Sequence, residues 1–185
     1  LIAIYCGSRL GTNPIYLQQS QQLIQCLSEL DFGIVYGGAS IGLMGAVADT
    51  ALQQHGEVVG VIPEFMLDYE IAHAHLTELH VVQTMHQRKA LMAERACAFI
   101  ALPGGLGTFE EILEIATWAQ LNQHQKVMII FNINGFYDAL IQQLDHAVNE
   151  GFLPPQHRAK VLFCSQLDEI ALALQGLKCP QNVQI

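Results

Sequence analysis

The side chains best suited to act on a charged small molecule lie in two runs, Met85-His-Gln-Arg-Lys-Ala90 and Leu102-Pro-Gly-Gly-Leu-Gly-Thr-Phe-Glu-Glu111. Arg88 and Lys89 fall at the start of a helical segment, where cations oppose the helix dipole, and a broken local rule marks a place where function is expected. A planar guanidinium can grip a phosphate or carboxylate through two parallel hydrogen bonds. An ammonium is a flexible point charge, so Lys89 reads equally well as a solvated surface residue. The chain has only 8 Lys plus Arg, which makes two in succession a concentration.

In the second run, Gly104, Gly105 and Gly107 bare backbone amides, and Thr108 is placed to cap a helix over Thr108 to Gln120. The N-terminus of such a helix offers free N–H groups and the positive end of a dipole, which suits a phosphate. Glu110 and Glu111 then fall in its first turn. Either one complements the dipole, for about 0.3–1 kcal/mol. With two beside three glycines, one can support the helix while the other faces a ligand.

Two further glycine loops follow predicted strands: Cys6-Gly-Ser-Arg-Leu-Gly11, where Ser8 and Arg9 could add polar contacts, and Val35-Tyr-Gly-Gly-Ala-Ser-Ile-Gly-Leu-Met-Gly45, which includes Gly38. Each also fits a tight strand-to-helix turn, so neither alone identifies a ligand site. Together they favour a nucleotide site at the carboxyl ends of the strands.

The elements that must carry these loops alternate along the chain. Short branched apolar runs predict strands over Leu1 to Cys6, Gly33 to Tyr36, Val58 to Ile62, Leu79 to Val82, Ala98 to Leu102, Lys126 to Phe131 and Val161 to Phe163. Segments of helical period lie between them, near Pro14 to Leu30, Gly42 to Gln54, Met85 to Ala96, Thr108 to Gln120, Phe136 to Glu150 and Leu167 to Leu174. Asn13 before Pro14 is a helix-start signal. The pattern predicts an α/β fold: a single-domain, Rossmann-like, doubly wound sheet, mostly parallel, with helices on both faces. Residues Pro63 to Thr84 are the least regular.

With 185 residues, 51% of them hydrophobic, the chain can bury one sizeable core. A net charge of -9 supplies no basic footprint for nucleic acid or for an anionic membrane. No apolar stretch approaches the roughly 18 residues of a membrane helix, and no targeting segment is recognised. The five cysteines are odd in number and widely spaced, which predicts neither a disulfide framework nor a zinc site and fits a reducing cytoplasm. His73, His75 and His80 cluster in the irregular segment without the carboxylate partner on a regular element that a metal site would want, so no metal is expected. Trp118, Met44 and Met92 read as core residues.

Taken in chain order, these runs and glycine loops resemble the Lonely Guy family, whose Pro-Gly-Gly-x-Gly-Thr-x-x-Glu motif is matched by Pro103 to Glu111. The likeness extends to Tyr5-Cys-Gly-Ser8, Tyr36-Gly-Gly38, Gly42-Leu-Met-Gly45, Gly60-Val-Ile-Pro63, Met85 to Lys89, Thr117-Trp118 and Gly135-Phe-Tyr137. That family has also been labelled lysine decarboxylase, although nothing in this sequence resembles a pyridoxal phosphate site. The resemblance implies hydrolysis of the N-glycosidic bond of a nucleoside 5'-monophosphate, a cytokinin riboside monophosphate or AMP, to free base and ribose 5-phosphate. It implies no cofactor and a homodimer. By the same carry-over, Arg88 and Glu111 match the catalytic pair, while Glu70, Lys89, Gly104, Gly105, Gly107, Thr108 and Glu110 match positions lining the nucleotide pocket. Cys97 stands where the family usually has an acidic residue, which bears on fine geometry around Arg88.

Two other readings compete. A carrier of a phosphorylated ligand, such as the molybdenum cofactor carriers of the same fold neighbourhood, shares every glycine loop but has little use for carboxylates beside a bound phosphate. An NAD-dependent oxidoreductase is disfavoured, because neither loop has Gly-x-Gly-x-x-Gly spacing with an acidic residue about 20 positions on.

Overall fold

The computed structural model describes residues 1–67 and 71–177. Seven strands form one sheet: β1 (Ile2–Tyr5), β2 (Ile34–Tyr36), β3 (Val58–Pro63), β4 (Glu78–Val82), β5 (Ala98–Ala101), β6 (Val127–Phe131) and β7 (Val161–Cys164). Their order is β4-β3-β2-β1-β5-β6-β7, and every pairing is parallel rather than mostly so. The helices are α1 (Ile15–Glu29), α2 (Gly42–Gln53), α3 (Met85–Arg95), α4 (Leu106–Gln120), α5 (Asp138–Asn149), α6 (Pro155–Arg158) and α7 (Leu167–Leu174).

Alternation along the central strands builds the two layers. Ile2 and Ile4 of β1 pack with Leu23, Ile24, Val47 and Ile170 of α1, α2 and α7. Ala3 and Tyr5 of the same strand face Met92, Ile112 and Ile115 of α3 and α4. Because both faces are covered, the strands read as continuous apolar runs, and burying each large side chain contributes about 1.5–3 kcal/mol.

Local chemistry sets the helix starts. Asn13 Oδ1 accepts the N–H of Ile15 at 3.0 Å, so the Asn-Pro signal does mark the start of α1, with Pro14 at the cap position. Thr84 caps α3 by accepting from the N–H of Gln87 at 3.2 Å. Helix α4 begins at Leu106, two residues before the expected start, with Gly105 at its cap and no side-chain cap. Thr108 is therefore inside the helix, and Glu110 and Glu111 fall beyond its first turn, so dipole complementation does not account for them. Helix α5 begins at Asp138 rather than Phe136, because a 3-10 turn over Ile133–Gly135 comes first, with positive φ at Asn134 and Gly135. The short α6 and a 3-10 turn at Glu64–Met66 were not anticipated; both are too brief to show a helical period.

Cys6, Cys26 and Cys164 are thiols, whereas Cys97 is in a disulfide, a bond that the expectation of no disulfide framework did not include. Among the described residues, no helix is long and apolar enough to cross a membrane, and no group of three or more His, Cys, Asp or Glu is placed to hold a metal ion.

Candidate active site

In an open parallel sheet, ligands bind beyond the carboxyl ends of the strands where the order reverses. Here that point lies between β1 and β5, from which the chain leaves in opposite directions. The loops after these strands are stitched together. Leu102 N–H donates to Tyr5 C=O at 2.8 Å, and Gly7 N–H donates to Pro103 C=O at 3.1 Å. The buried Tyr137 hydroxyl fixes the seam by donating to Leu102 C=O at 2.7 Å.

Two cavities open above this seam. The larger, about 600 Å³, runs from Gly7 to Gly11 across Pro103, Gly104 and Gly105 to the apolar side chains Tyr16, Leu43 and Phe136. The smaller, about 280 Å³, is lined by Arg88, Glu111, Gly107, Thr108 and the methionines Met44, Met66 and Met85. They share Gly7, Ser8, Gly105 and Leu106, so the N-terminus of α4 stands between them.

The glycines divide by task. A Cβ on Gly104 would collide with the Thr108 side chain and approach Gly7 N at 2.9 Å, so that glycine permits close packing of the two loops. At Gly105 and Gly107 a Cβ would meet nothing within 4 Å. Those two leave open space at the uncapped helix end, where an anion can approach amides directly. Gly38 has a left-handed φ of 79° and packs beneath Ile62; it lines neither cavity, unlike the reading that placed it in the pocket.

Arg88 is 5% exposed. Its Nη2 donates to Gly37 C=O at 3.4 Å, its Nη1 approaches two thioether sulfurs, and its Nε is buried without a hydrogen-bond partner. Gly37 has to lack a side chain, because a Cβ there would overlap the guanidinium and lie 2.8 Å from Met44 Sδ. A buried cation with an unmet donor is costly unless an anion completes it.

Lys89, expected in the nucleotide pocket with a solvated surface position as the alternative, is buried. Its ammonium is pinned by Glu110 and by Glu114 Oε2, the latter at 3.0 Å. Burial alone would lower its pKa, but the hydrogen bonds and charges of the two carboxylates outweigh burial and raise it. Lys89 and Glu110 line neither cavity; they tie α3 to α4, which holds Arg88 and Glu111 in the same space. Beneath them, Tyr5 is held protonated, its pKa pushed well up by burial and then by the charges of Glu111 and Glu114.

Of the residues read from the sequence, Ser8, Arg88, Pro103, Gly104, Gly105, Gly107, Thr108 and Glu111 meet at these cavities. Glu70 lies outside the described residues. Met44, expected in the core, is buried yet also lines the smaller cavity. Glu114, Met66 and Gly37 were missed. Glu114 stands one helical turn from Glu110, a spacing that could have revealed it. Met66, 22 residues from Arg88 in an irregular segment, gives no signal in the sequence.

A sequence-family model described as "Possible lysine decarboxylase" matches residues 44–174. A cytokinin riboside 5'-monophosphate phosphoribohydrolase of Rhodococcoides fascians is 45% identical over 176 residues, covering 95% of this chain and 89% of that protein. An Arabidopsis thaliana protein of the same name is 42% identical over 174 residues, covering 94% of this chain and 80% of its own. Among solved structures, the molybdenum cofactor binding protein from Rippkaea orientalis aligns with a TM-score of 0.69 at 19% identity, over 94% of both chains. DNA processing protein A of Streptococcus pneumoniae gives 0.57 at 14%, over 92% of this chain and 60% of that one. At such identities these two show the fold alone. The sequence matches are of another order, and by their extent and identity the chain belongs to the cytokinin riboside 5'-monophosphate phosphoribohydrolase family.

Proposed function

We propose that this chain hydrolyses the N-glycosidic bond of nucleoside 5'-monophosphates, releasing a free purine base and ribose 5-phosphate. The observation that carries the reading is the buried Arg88 guanidinium, with its unmet Nε donor, sharing one cavity with Glu111 and the open glycine amides of α4. In this reading the 5'-phosphate sits at the helix N-terminus, on the amides around Gly105 and Gly107. Arg88 positions the nucleotide. Departure of the base builds oxocarbenium character at the anomeric carbon; the Glu111 carboxylate stabilises it and steers the water whose hydroxyl adds there, and the proton that water gives up balances the one the base leaves with.

A carrier that only holds a phosphorylated ligand has the same fold in its favour and nothing more. The pairing of Glu111 with Arg88 in one cavity favours hydrolysis. We take the chain to work as a single nucleotide-binding domain and as a homodimer, and in the cytoplasm, which Cys26 and Cys164 support as thiols although Cys97 is in a disulfide. The dimer reading is supported by Leu106 and Leu113 of α4 and by Leu121 just past its end, exposed by 88%, 36% and 61%.

Chromatography of AMP, isopentenyladenosine monophosphate and the corresponding nucleosides, each incubated with pure protein, tests the activity. Free base is expected from the monophosphates and almost none from the nucleosides, since the site is built around a phosphate. Equal release from AMP and adenosine would overturn the reading.

A further inference from the structure

Three of the five methionines gather around one arginine. Met44, Met66 and Met85 come from α2, the turn at Glu64–Met66 and the first residue of α3, and all line the smaller cavity. Met92 and Met128 are buried in the core, as methionines ordinarily are. Arg88 Nη1 lies 3.7 Å from Met66 Sδ and 3.8 Å from Met85 Sδ. These are donor-to-sulfur contacts, and a thioether is a weak acceptor.

The choice of sulfur has a physical consequence. A guanidinium carries five N–H donors in a rigid fork and is desolvated in this position. An amide or carboxylate against Nη1 would form a strong charge-assisted bond and keep that donor from a ligand. An alkyl side chain would offer no acceptor, leaving Gly37 C=O to orient the fork through Nη2. Two thioethers lie between these limits: they orient Nη1 and yield it when a stronger acceptor arrives. Their flexible, polarisable stems also follow the side chain as it moves.

We infer that Met66 and Met85 are positioning residues for Arg88, holding its guanidinium in the ligand-ready orientation through weak N–H to sulfur contacts that a bound anion displaces. The inference rests on the nucleotide reading for its ligand, but not for the Arg88 geometry itself.

The test replaces both sulfurs at nearly constant volume, as Met66→Leu/Met85→Leu, and compares Met66→Gln, which introduces a strong acceptor. Adenine release from AMP gives kcat and KM, and 15N–1H NMR of arginine-labelled protein follows the Arg88 Nε signal, assigned as the one lost in Arg88→Lys. The double Leu variant should lose about tenfold in kcat with KM nearly unchanged, because a bound nucleotide that Arg88 no longer orients correctly reacts more slowly. Its Nε signal should shift or broaden before ligand is added, at a wild-type melting temperature. Met66→Gln should instead raise KM about tenfold, by competition for Nη1. If the double variant cannot be purified folded, the Met66→Leu and Met85→Leu single variants carry the same readouts. Wild-type kinetics with an unmoved Nε signal would overturn the inference, as would a loss of rate explained by a lowered melting temperature. If wild-type protein releases no base while the Nε signal still depends on the methionines and responds to ribose 5-phosphate, the hydrolase reading fails and the positioning role stands.

Discussion

The backbone N–H of Gly7 donates to the carbonyl of Pro103 at 3.1 Å, joining the loop after β1 to the loop after β5 at the point where the sheet reverses direction. A Cβ on Gly7 would lie 3.2 Å from the Gly104 Cα, so the two loops touch backbone to backbone. The floor of the candidate site is therefore a fixed surface, and the open positions stand on top of it.

That division predicts opposite outcomes for neighbouring glycines. In Gly104→Ala the new methyl meets Thr108 and the Gly7 backbone, and overpacking of this kind costs about 1–3 kcal/mol. In Gly105→Ala it meets nothing and its backbone stays in an ordinary extended region, so the melting temperature should hold while the methyl intrudes on the anion's approach. Thermal melts paired with calorimetric titration of ribose 5-phosphate check this. A stable Gly104→Ala with intact binding would show that the loops can separate.

Glu111→Gln and Arg88→Ala should each lower base release from AMP by about a hundredfold or more, as expected when a group stabilising transition-state charge is lost. Neither should melt much earlier than wild type. Arg88 keeps one long hydrogen bond, two sulfur contacts and one unmet donor, so its removal also relieves a cost. Steady-state rates with calorimetric melts check both parts. More than a tenth of wild-type activity in both variants would remove the catalytic assignment.

Lys89 carries a pH signature. Because Glu110 and Glu114 raise its pKa against the opposing effect of burial, the folded protein binds this proton more tightly than the unfolded chain. Its contribution to stability is complete below the ordinary lysine value of 10.5 and is lost as the pH climbs through the higher folded value. Lys89→Met should melt below wild type at neutral pH, and the gap should close in strongly alkaline buffer. A gap that stays constant there would mean the ion pairs contribute nothing.

The exposed leucines on α4 and at its end predict self-association. Leu113→Glu/Leu121→Glu should shift the protein from dimer to monomer in sedimentation equilibrium without unfolding it, since both side chains project from the surface. Monomeric wild-type protein would refute the homodimer directly.

The sequence by itself determined the number and order of strands and main helices, because apolar runs with two covered faces and amphipathic segments leave period signatures that need no partner to be seen. It also determined which loops carry the glycines, and it marked Arg88 and Glu111 as residues whose types folding does not require. Only the tertiary structure decided how the conspicuous residues divide their work. Lys89 and Glu110 are a tie between helices rather than cavity walls, since sequence spacing within α3 and α4 says nothing of the distance across them. Gly104 is a packing contact and Gly105 an opening, although they are adjacent, because a Cβ on Gly104 would meet the Thr108 side chain once α4 is formed and the Gly7 backbone of the loop after β1, nearly 100 residues earlier. Met66 reaches Arg88 only because parallel β3 sets the following turn beside α3. Contacts of that kind depend on chain paths through the sheet, which local periodicity does not encode.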